Sequence, residues 1–462
     1  MVVSHVSPVL ASRWRFAAWA ALYAVVMVYA SIAVSPLGFH PADLSLADAM
    51  QKFLGTHYWE NGSDQRADWT ANLLLMVPLA FLLTGAVWPR RGWVWQGLAA
   101  IAALALSLAY VLGVKFVQVY FPRTVSLNYI IAQSCGAVIG VLGFVGLHGR
   151  LAQAVAVLRQ GGRPGLLVAL AAASLAAFAY TLVPFDLVLS RQDVAERLAA
   201  LPEILLGLPG SGRSVPVRAA VLVAAALPGL PLGMLLEVWL PRRPLGLLAV
   251  SGVVAMAVLL VPALLVMGAN PSLLAIPLRA AGFVAGAWGM RWIGQQDVAG
   301  ARPYVRRIAP WLVLPYVLVV LALNGVLTTH WRTVADAMAV APDPRRFIPL
   351  FTYYNIAKAQ AAASLAVHVG LFAPIGVLFW AAGLEGRGYR WLTAGLGIVL
   401  AGLVEVGRWF GPGLPPEINN LWIAGLAAPL GGALAGFVWR LLVGMAREQQ
   451  MPPRRASLAR YL

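Results

Sequence analysis

Charge is scarce in this sequence: 11% of its 462 residues are Asp, Glu, Lys or Arg, against roughly 25% in ordinary soluble domains. That shortage excludes a conventional water-solvated surface. Cysteine is scarcer still. Cys135 is the only one, which excludes an intrachain disulfide and a cysteine-based metal site and leaves the redox compartment open. No His-Glu-x-x-His helix, no carboxylate cluster at metal-ligand spacing and no phosphate-cradling glycine loop occurs. Nothing in the sequence therefore points to a metal, a nucleotide or another cofactor.

What abounds is apolar. Hydrophobic residues make up 61% of the chain, gathered in runs of about 20, the length that crosses ~30 Å of hydrocarbon as a helix. The expectation is an all-α polytopic membrane protein with about 12 transmembrane helices. They fall near 15–37, 69–88, 93–120, 126–148, 164–185, 217–239, 245–268, 271–292, 308–328, 361–382, 391–410 and 420–442. The first run is followed by Ser-Pro-Leu-Gly rather than a small-x-small cleavage site, so it reads as a retained first span.

Landmarks recur along the chain in the same order, as an internal duplication requires. Leu46-Ala-Asp-Ala-Met50 returns as Val334-Ala-Asp-Ala-Met338, with Val194-Ala-Glu-Arg-Leu198 between them. Pro78, Pro231 and Pro374 lie inside corresponding apolar runs. Gly136 and Gly140, Gly282 and Gly286, and Gly432 and Gly436 space the last helix of each set. These repeats divide the chain into four-helix units at 1–160, 161–300 and 301–462, the middle one degenerate.

The net charge of +17 would point to nucleic acid in a soluble protein. Here it reads as arginines anchoring cytoplasmic loops, with no nucleic-acid partner. Placing both termini in the cytoplasm puts twenty arginines on the inner side, Arg90, Arg242, Arg291 and Arg387 among them. Only Glu237, Asp297, Glu385 and Glu448 accompany them. The long polar loops, about 38–67, 186–216 and 329–360, then face outward. Leu44, Ala47, Met50, Phe53 and Leu54 in one, and Val194, Leu198, Leu201 and Ile204 in another, mark amphipathic helices that lie at the lipid interface or act as a lid.

Ionisable and amide groups inside spans are costly, so each calls for a partner or a task. Asp68 and Asn72 share one helical face ahead of Pro78, which should bend its helix and free carbonyls that need an internal partner. Lys115 and Gln118 sit three apart near the outer end of the third helix, and Arg123, Ser126, Asn128 and Gln133 follow. Lys115 is expected to pair with Asp68. The third unit places His368 where the first has Asn72, and Glu405 and Arg408 where it has Lys115 and Gln118. Glu417, Asn419 and Asn420 open its last helix, where Glu417 suits the dipole and can cap N–H groups. Glu405 and Arg408 fit a structural ion pair, a head-group site or chemistry; His368 fits a hydrogen-bonded core histidine, a base or a ligand. The second unit is nearly bare, with Arg279 where the first has Gln133.

These residues resemble the VanZ-like membrane proteins, a family named for a teicoplanin-resistance protein. The resemblance rests on Asp68, Asn72, Pro78, Gln118, Arg123, Gly136 and Gly140 in the first unit and on His368, Phe372, Pro374, Gly376 and Glu405 in the third. Lys115, Ser126, Gln133 and Arg408 depart from the family pattern. What the resemblance implies is a protein of the bacterial cell envelope, multi-pass in the inner membrane. The first expectation for function is non-enzymatic: binding a polar membrane lipid or lipid-linked glycan through its head group in an outward-facing cavity, with an effect on glycopeptide susceptibility. The binding residues would be Asp68, Asn72, Lys115, Gln118, Arg123, His368, Glu405, Arg408, Glu417 and Asn420. The alternatives are a secondary transporter and an intramembrane transferase or hydrolase on a polyprenyl-linked substrate, with His368 or Glu405 as base.

Overall fold

The computed structural model describes residues 13–32, 41–58, 63–89, 92–121, 125–183, 186, 188, 191–207, 215–266, 272–327, 330–339, 344–354, 356, 358–411 and 416–450. Among them the helices run in the order α1 (Arg13–Ile32), α2 (Leu46–Leu54), α3 (Ser63–Val87), α4 (Trp93–Gln118), α5 (Leu127–Gln160), α6 (Gly162–Thr181), α7 (Arg191–Leu206), α8 (Val215–Ala226), α9 (Leu230–Trp239), α10 (Leu245–Leu264), α11 (Ala275–Gln295), α12 (Arg302–Leu323), α13 (Val334–Ala339), α14 (Phe351–Tyr354), α15 (Lys358–Ala381), α16 (Arg387–Phe410) and α17 (Asn419–Gln450). Ten of these stretches are long and apolar enough to cross a membrane. α10 offers only a shorter apolar stretch, Gly246–Leu259, and α11 is not among the ten. Arg279 and Arg291 lower the hydropathy of α11. α5 and α17, at 34 and 32 residues, overrun their expected ends because Ala, Leu, Gln and Arg continue the helix past the apolar run.

Large apolar side chains cover the outside, as lipid contact requires. Trp14, Trp93 and Trp391 are more than four-fifths exposed in the first turns of α1, α4 and α16, and Trp331 and Trp422 are exposed at the opposite end. Rings at both ends match the interfacial placement of tryptophan. One end of the bundle carries Arg13, Arg163, Arg291 and Arg302, bonded across helix ends to Trp88, Val238, Glu237 and Trp380. The other gathers the polar loops. We refer to them as the arginine end and the loop end.

Helix pairs close on glycine. A Cβ added at Gly136 would stand 2.1 Å from the Leu73 carbonyl oxygen, and one at Gly140 would stand 2.4 Å from that of Val77. Gly282 and Gly286 of α11 meet the Ala226 and Leu230 carbonyls in the same way, at 1.9 and 2.2 Å. α17 differs. There Gly431 lies on the Ala373 carbonyl and Gly376 of α15 on that of Ala428, while Gly432 meets the Tyr389 hydroxyl and Gly436 the Trp380 indole. The expected spacing thus survives in α17, but its contact has moved.

Near two of the prolines a tyrosine hydroxyl donates to a carbonyl one residue from the one that loses its helical donor, which is the carbonyl four residues before the proline. Pro78 leaves α3 without one N–H, and the Tyr23 hydroxyl of α1 donates to the Leu75 carbonyl at 2.9 Å. Tyr316 of α12 does the same for Leu371, three residues before Pro374. Before Pro231 the helix breaks instead into a 3₁₀ turn, Leu227–Gly229, between α8 and α9.

The loops dock in a common manner. The Ala42, Val188 and Arg332 N–H groups donate to the Tyr120, Leu265 and Phe410 carbonyls, each near the end of α4, α10 or α16. In the short helices that follow, Ala49, Arg197 and Ala337 are buried while Met50, Leu198 and Met338 point outward. Ser45 and Thr333 cap α2 and α13 by accepting the Asp48 and Asp336 N–H groups at 3.2 Å. The apolar faces of α2 and α7 are therefore divided: Met50, Leu54, Val194 and Leu198 are exposed, while Phe53 packs edge-to-face on Phe116 of α4 at 5.6 Å between centroids and Leu201 and Ile204 are half-buried. In α7 the fully buried side chains are polar: Asp193 and Arg197 are buried, and Arg197 donates to the Leu264 carbonyl at 3.3 Å. Buried charge is thus present at the loop end of α7, where the sequence had suggested little.

Candidate loop-end site on α15, α16 and α17

Glu405 and Arg408 stand one turn from the loop end of α16, and their i,i+3 spacing brings them onto one face. The Arg408 Nη1 donates to Glu405 Oε1 at 3.1 Å, and the Asn420 Nδ2 donates to the same oxygen at 2.6 Å. Glu405 Oε2 accepts the Glu417 backbone N–H at 2.8 Å. The carboxylate is 6% exposed and takes three hydrogen bonds, the number that stabilises a buried charge. Arg408 spends its second nitrogen on Asn324 Oδ1 at 2.6 Å, just past the end of α12. Asn324 is fixed in turn by donating to the Val320 carbonyl.

Around this core lie groups with room to move. Arg346 Nη1 is 3.6 Å from Glu417 Oε1, with side chains 32% and 22% exposed. Glu417 does not cap α17, as its position had led us to expect. Its backbone N–H is taken by Glu405, and its side chain turns to Arg346 because the loop carrying Arg345 and Arg346 folds over the start of α17, where Asn419 Oδ1 accepts the Leu350 N–H at 2.6 Å. Burial raises the Glu417 pKa above its ordinary value, and the Arg346 charge opposes that rise. Burial likewise raises Tyr353.

His368 has a defined tautomer. Its Nδ1 lies 2.7 Å from the Ser364 carbonyl, which can only accept, so Nδ1 carries the proton and a neutral ring keeps its lone pair on Nε2. The Ser364 hydroxyl and the Tyr353 hydroxyl lie 3.3 and 3.5 Å from that same Nδ1. Neither is thus placed to lose its proton to the ring. His368 is within electrostatic reach of Arg408 and Glu405. Any base chemistry at the ring would fall to Nε2, while the Glu405 carboxylate is engaged by three donors.

Helices α1, α3, α4 and α5 build a parallel but mostly uncharged set. Asn72 Nδ2 donates to the Asp68 carbonyl at 2.8 Å, the same reach of one turn that His368 makes, and Asn72 Oδ1 accepts from Gln133 Nε2 at 2.8 Å. Gln118 Nε2 donates to the Ser31 carbonyl at 2.9 Å, bracing α4 to the end of α1 as Arg408 braces α16 to the end of α12. Lys115 is buried, its Nζ 5.4 Å from the Tyr129 ring centroid. Arg123 lies outside the described residues. In the middle of the chain Arg279 is half-buried, and its Nε meets no partner among the described residues.

No family model, no curated protein and no solved structure matches this chain. The site must be read from its own geometry. That geometry joins Glu405, Arg408, Glu417 and Asn420 directly, with His368 beside them, and joins Asn72 to Gln133 and the Asp68 backbone. The two sets remain local to their own helices, with Tyr29 of α1 donating to the Pro349 carbonyl at 2.9 Å as one tie between them. Sequence reasoning missed Asn324, Arg346 and Tyr353. Asn324 had a signal, since it follows the α12 run where Ser31 closes the α1 run; the Arg345-Arg346 pair in a polar loop was a weaker one.

Proposed function

We propose that this chain is a VanZ-like integral protein of the bacterial inner membrane, built as three four-helix units at 1–160, 161–300 and 301–462. In this reading twelve helices cross the membrane, the arginine end and both termini are cytoplasmic, and the loop end faces outward. Three recurrences support it: the carbonyl-docked loops, the braces from Gln118 and Arg408, and the glycine contacts of α5 and α11. The asymmetry of arginine between the two ends supports the orientation.

Its task is to hold the phosphate-bearing head group of a polar lipid or lipid-linked glycan at the loop end of the third unit, non-enzymatically, and so to influence glycopeptide susceptibility. The observation that carries this is Arg346. It is partly exposed and lies 3.6 Å from Glu417, its ion-pair partner among the described residues; Glu417 is in turn within electrostatic reach of Arg408 and Tyr353. A phosphate can replace a loosely held carboxylate on a guanidinium with better geometry.

The test places a photoreactive residue at the exposed Leu350 in the full-length protein and identifies the lipids it captures. A phosphate-bearing lipid should dominate the adducts, and Arg346→Ala should cut its yield about tenfold, the equivalent of ~1.4 kcal/mol. Adducts in bulk-membrane proportions, unchanged by Arg346→Ala, would refute the reading. A hydrolase or transferase reading keeps one favourable feature, the His368 Nε2 lone pair, and would require a cleaved product that His368→Gln abolishes.

A further inference from the structure

The arginine end holds a cavity that the loop-end site does not use. It measures about 570 Å³ and lies where the last turns of α5 and α17 meet the start of α6. Arg159 comes from α5, and Arg440 and Arg447 come from α17. Among the described residues no carboxylate pairs with any of the three. The nearest acid, Glu448, stands by Gly162 and is occupied by accepting the Arg163 backbone N–H at 3.0 Å. Two other cations at this end do have carboxylate partners: Glu237 takes Arg291 at 2.7 Å and Glu385 takes Arg302 at 3.0 Å.

The three arginines are exposed and line one cavity with charge of a single sign, so an anion placed there is attracted by all three. The remaining wall is apolar, including Val155 and Val443. α5 and α17 are longer than ~30 Å of hydrocarbon requires, so their last turns stand at head-group depth. A basic mouth over an apolar wall at that depth fits a molecule with a phosphate at one end and acyl chains at the other.

We infer that this cavity is a binding site for an anionic phospholipid of the leaflet at the arginine end. The site is separate from the one at the loop end and stands whether or not that reading holds. The lipid phosphate sits among Arg159, Arg440 and Arg447, and an acyl chain lies along Val155 and Val443. It ties α5, α6 and α17 together, which joins the first helix group to the last.

Native mass spectrometry of the full-length detergent-purified protein, titrated with phosphatidylglycerol or phosphatidylcholine, tests this. One phosphatidylglycerol should bind at least tenfold more tightly than phosphatidylcholine. Arg447→Gln should weaken it about fivefold, and the triple Arg→Gln variant at 159, 440 and 447 about a hundredfold. Arg243→Gln, an exposed arginine at the same end that does not line the cavity, should leave this affinity unchanged. Should the triple variant fail to fold, Arg447→Gln alone decides. Equal affinity for the two lipids, or no loss in Arg447→Gln, would overturn the inference. So would displacement of phosphatidylglycerol by excess inorganic phosphate, which would make the occupant a soluble anion.

Discussion

Removing the Glu405 carboxylate should cost more than removing it together with its cation. In Glu405→Ala, Arg408 keeps Asn324 but loses its counter-charge, while the Asn420 amide and the Glu417 N–H lose their acceptor. Breaking one side of a buried ion pair costs ~3–5 kcal/mol, and each orphaned buried donor costs ~1–3 kcal/mol where water cannot reach it. Since the two overlap, about 4–6 kcal/mol is expected. Glu405→Leu with Arg408→Leu removes both charges and fills part of the space; two amide donors remain orphaned, so about 1–3 kcal/mol is expected. Arg408→Leu alone strands the Glu405 charge at a similar ~3–5 kcal/mol, so the double variant should be at least about 4 kcal/mol more stable than the sum of Glu405→Leu and Arg408→Leu, measurable by a double-mutant cycle on detergent-solubilised protein unfolded by denaturant. Glu405→Gln, which keeps one acceptor and the shape, should fall between. If Glu405→Ala and the double variant were equally stable, the three hydrogen bonds to Glu405 would not form a network and the site as described would be wrong.

Two further outcomes follow. Because burial raises the Glu417 pKa, the folded protein holds that proton more tightly than the unfolded chain. Its contribution to stability is then full below the ordinary glutamate value and is lost as pH rises through the raised one. Acidification through that range should neutralise Glu417, free Arg346 and increase lipid capture at Leu350; Glu417→Gln should capture at the high level at every pH, and a flat wild-type profile would argue against it. Gly140→Ala, whose Cβ would meet the Val77 carbonyl at 2.4 Å, should cost ~1–3 kcal/mol of overpacking, whereas Gly143→Ala, with nothing within 4 Å, should be neutral or gain up to ~1 kcal/mol. Equal effects in unfolding experiments would remove the glycine contact from the account of α3 against α5.

Much of this was legible in the chain because the relevant signals are local. An apolar run of about 20 residues states its own helix, and a proline inside one states that the carbonyl four residues earlier loses its donor; that Tyr23 and Tyr316 reach the neighbouring carbonyls of Leu75 and Leu371 required the fold. The spacing of Glu405 and Arg408 likewise declared their pairing. What could not be read were bonds across large separations, such as Arg408 to Asn324 and Arg346 to Glu417, since neither partner carries a periodic signal. Glu417 misled for a related reason: its place before α17 suggested a cap, but its carboxylate faces Arg346 at 3.6 Å, a partner brought in from a distant loop. α7 was read correctly as amphipathic, yet which face packs inward depends on the solvent. In a membrane Val194 and Leu198 turn out and Asp193 and Arg197 turn in, the reverse of a soluble helix.

The account rests on the loop end and the arginine end lying on opposite sides of the membrane, with the Glu405 network outside. Replacing Cys135 with serine removes the only native thiol, and single cysteines at Met338 and Arg243 then report the two ends. A membrane-impermeant maleimide applied to intact spheroplasts should label Met338→Cys at once and Arg243→Cys only after permeabilisation. Labelling of Arg243→Cys in intact spheroplasts with Met338→Cys protected would place the network in the cytoplasm and contradict the account.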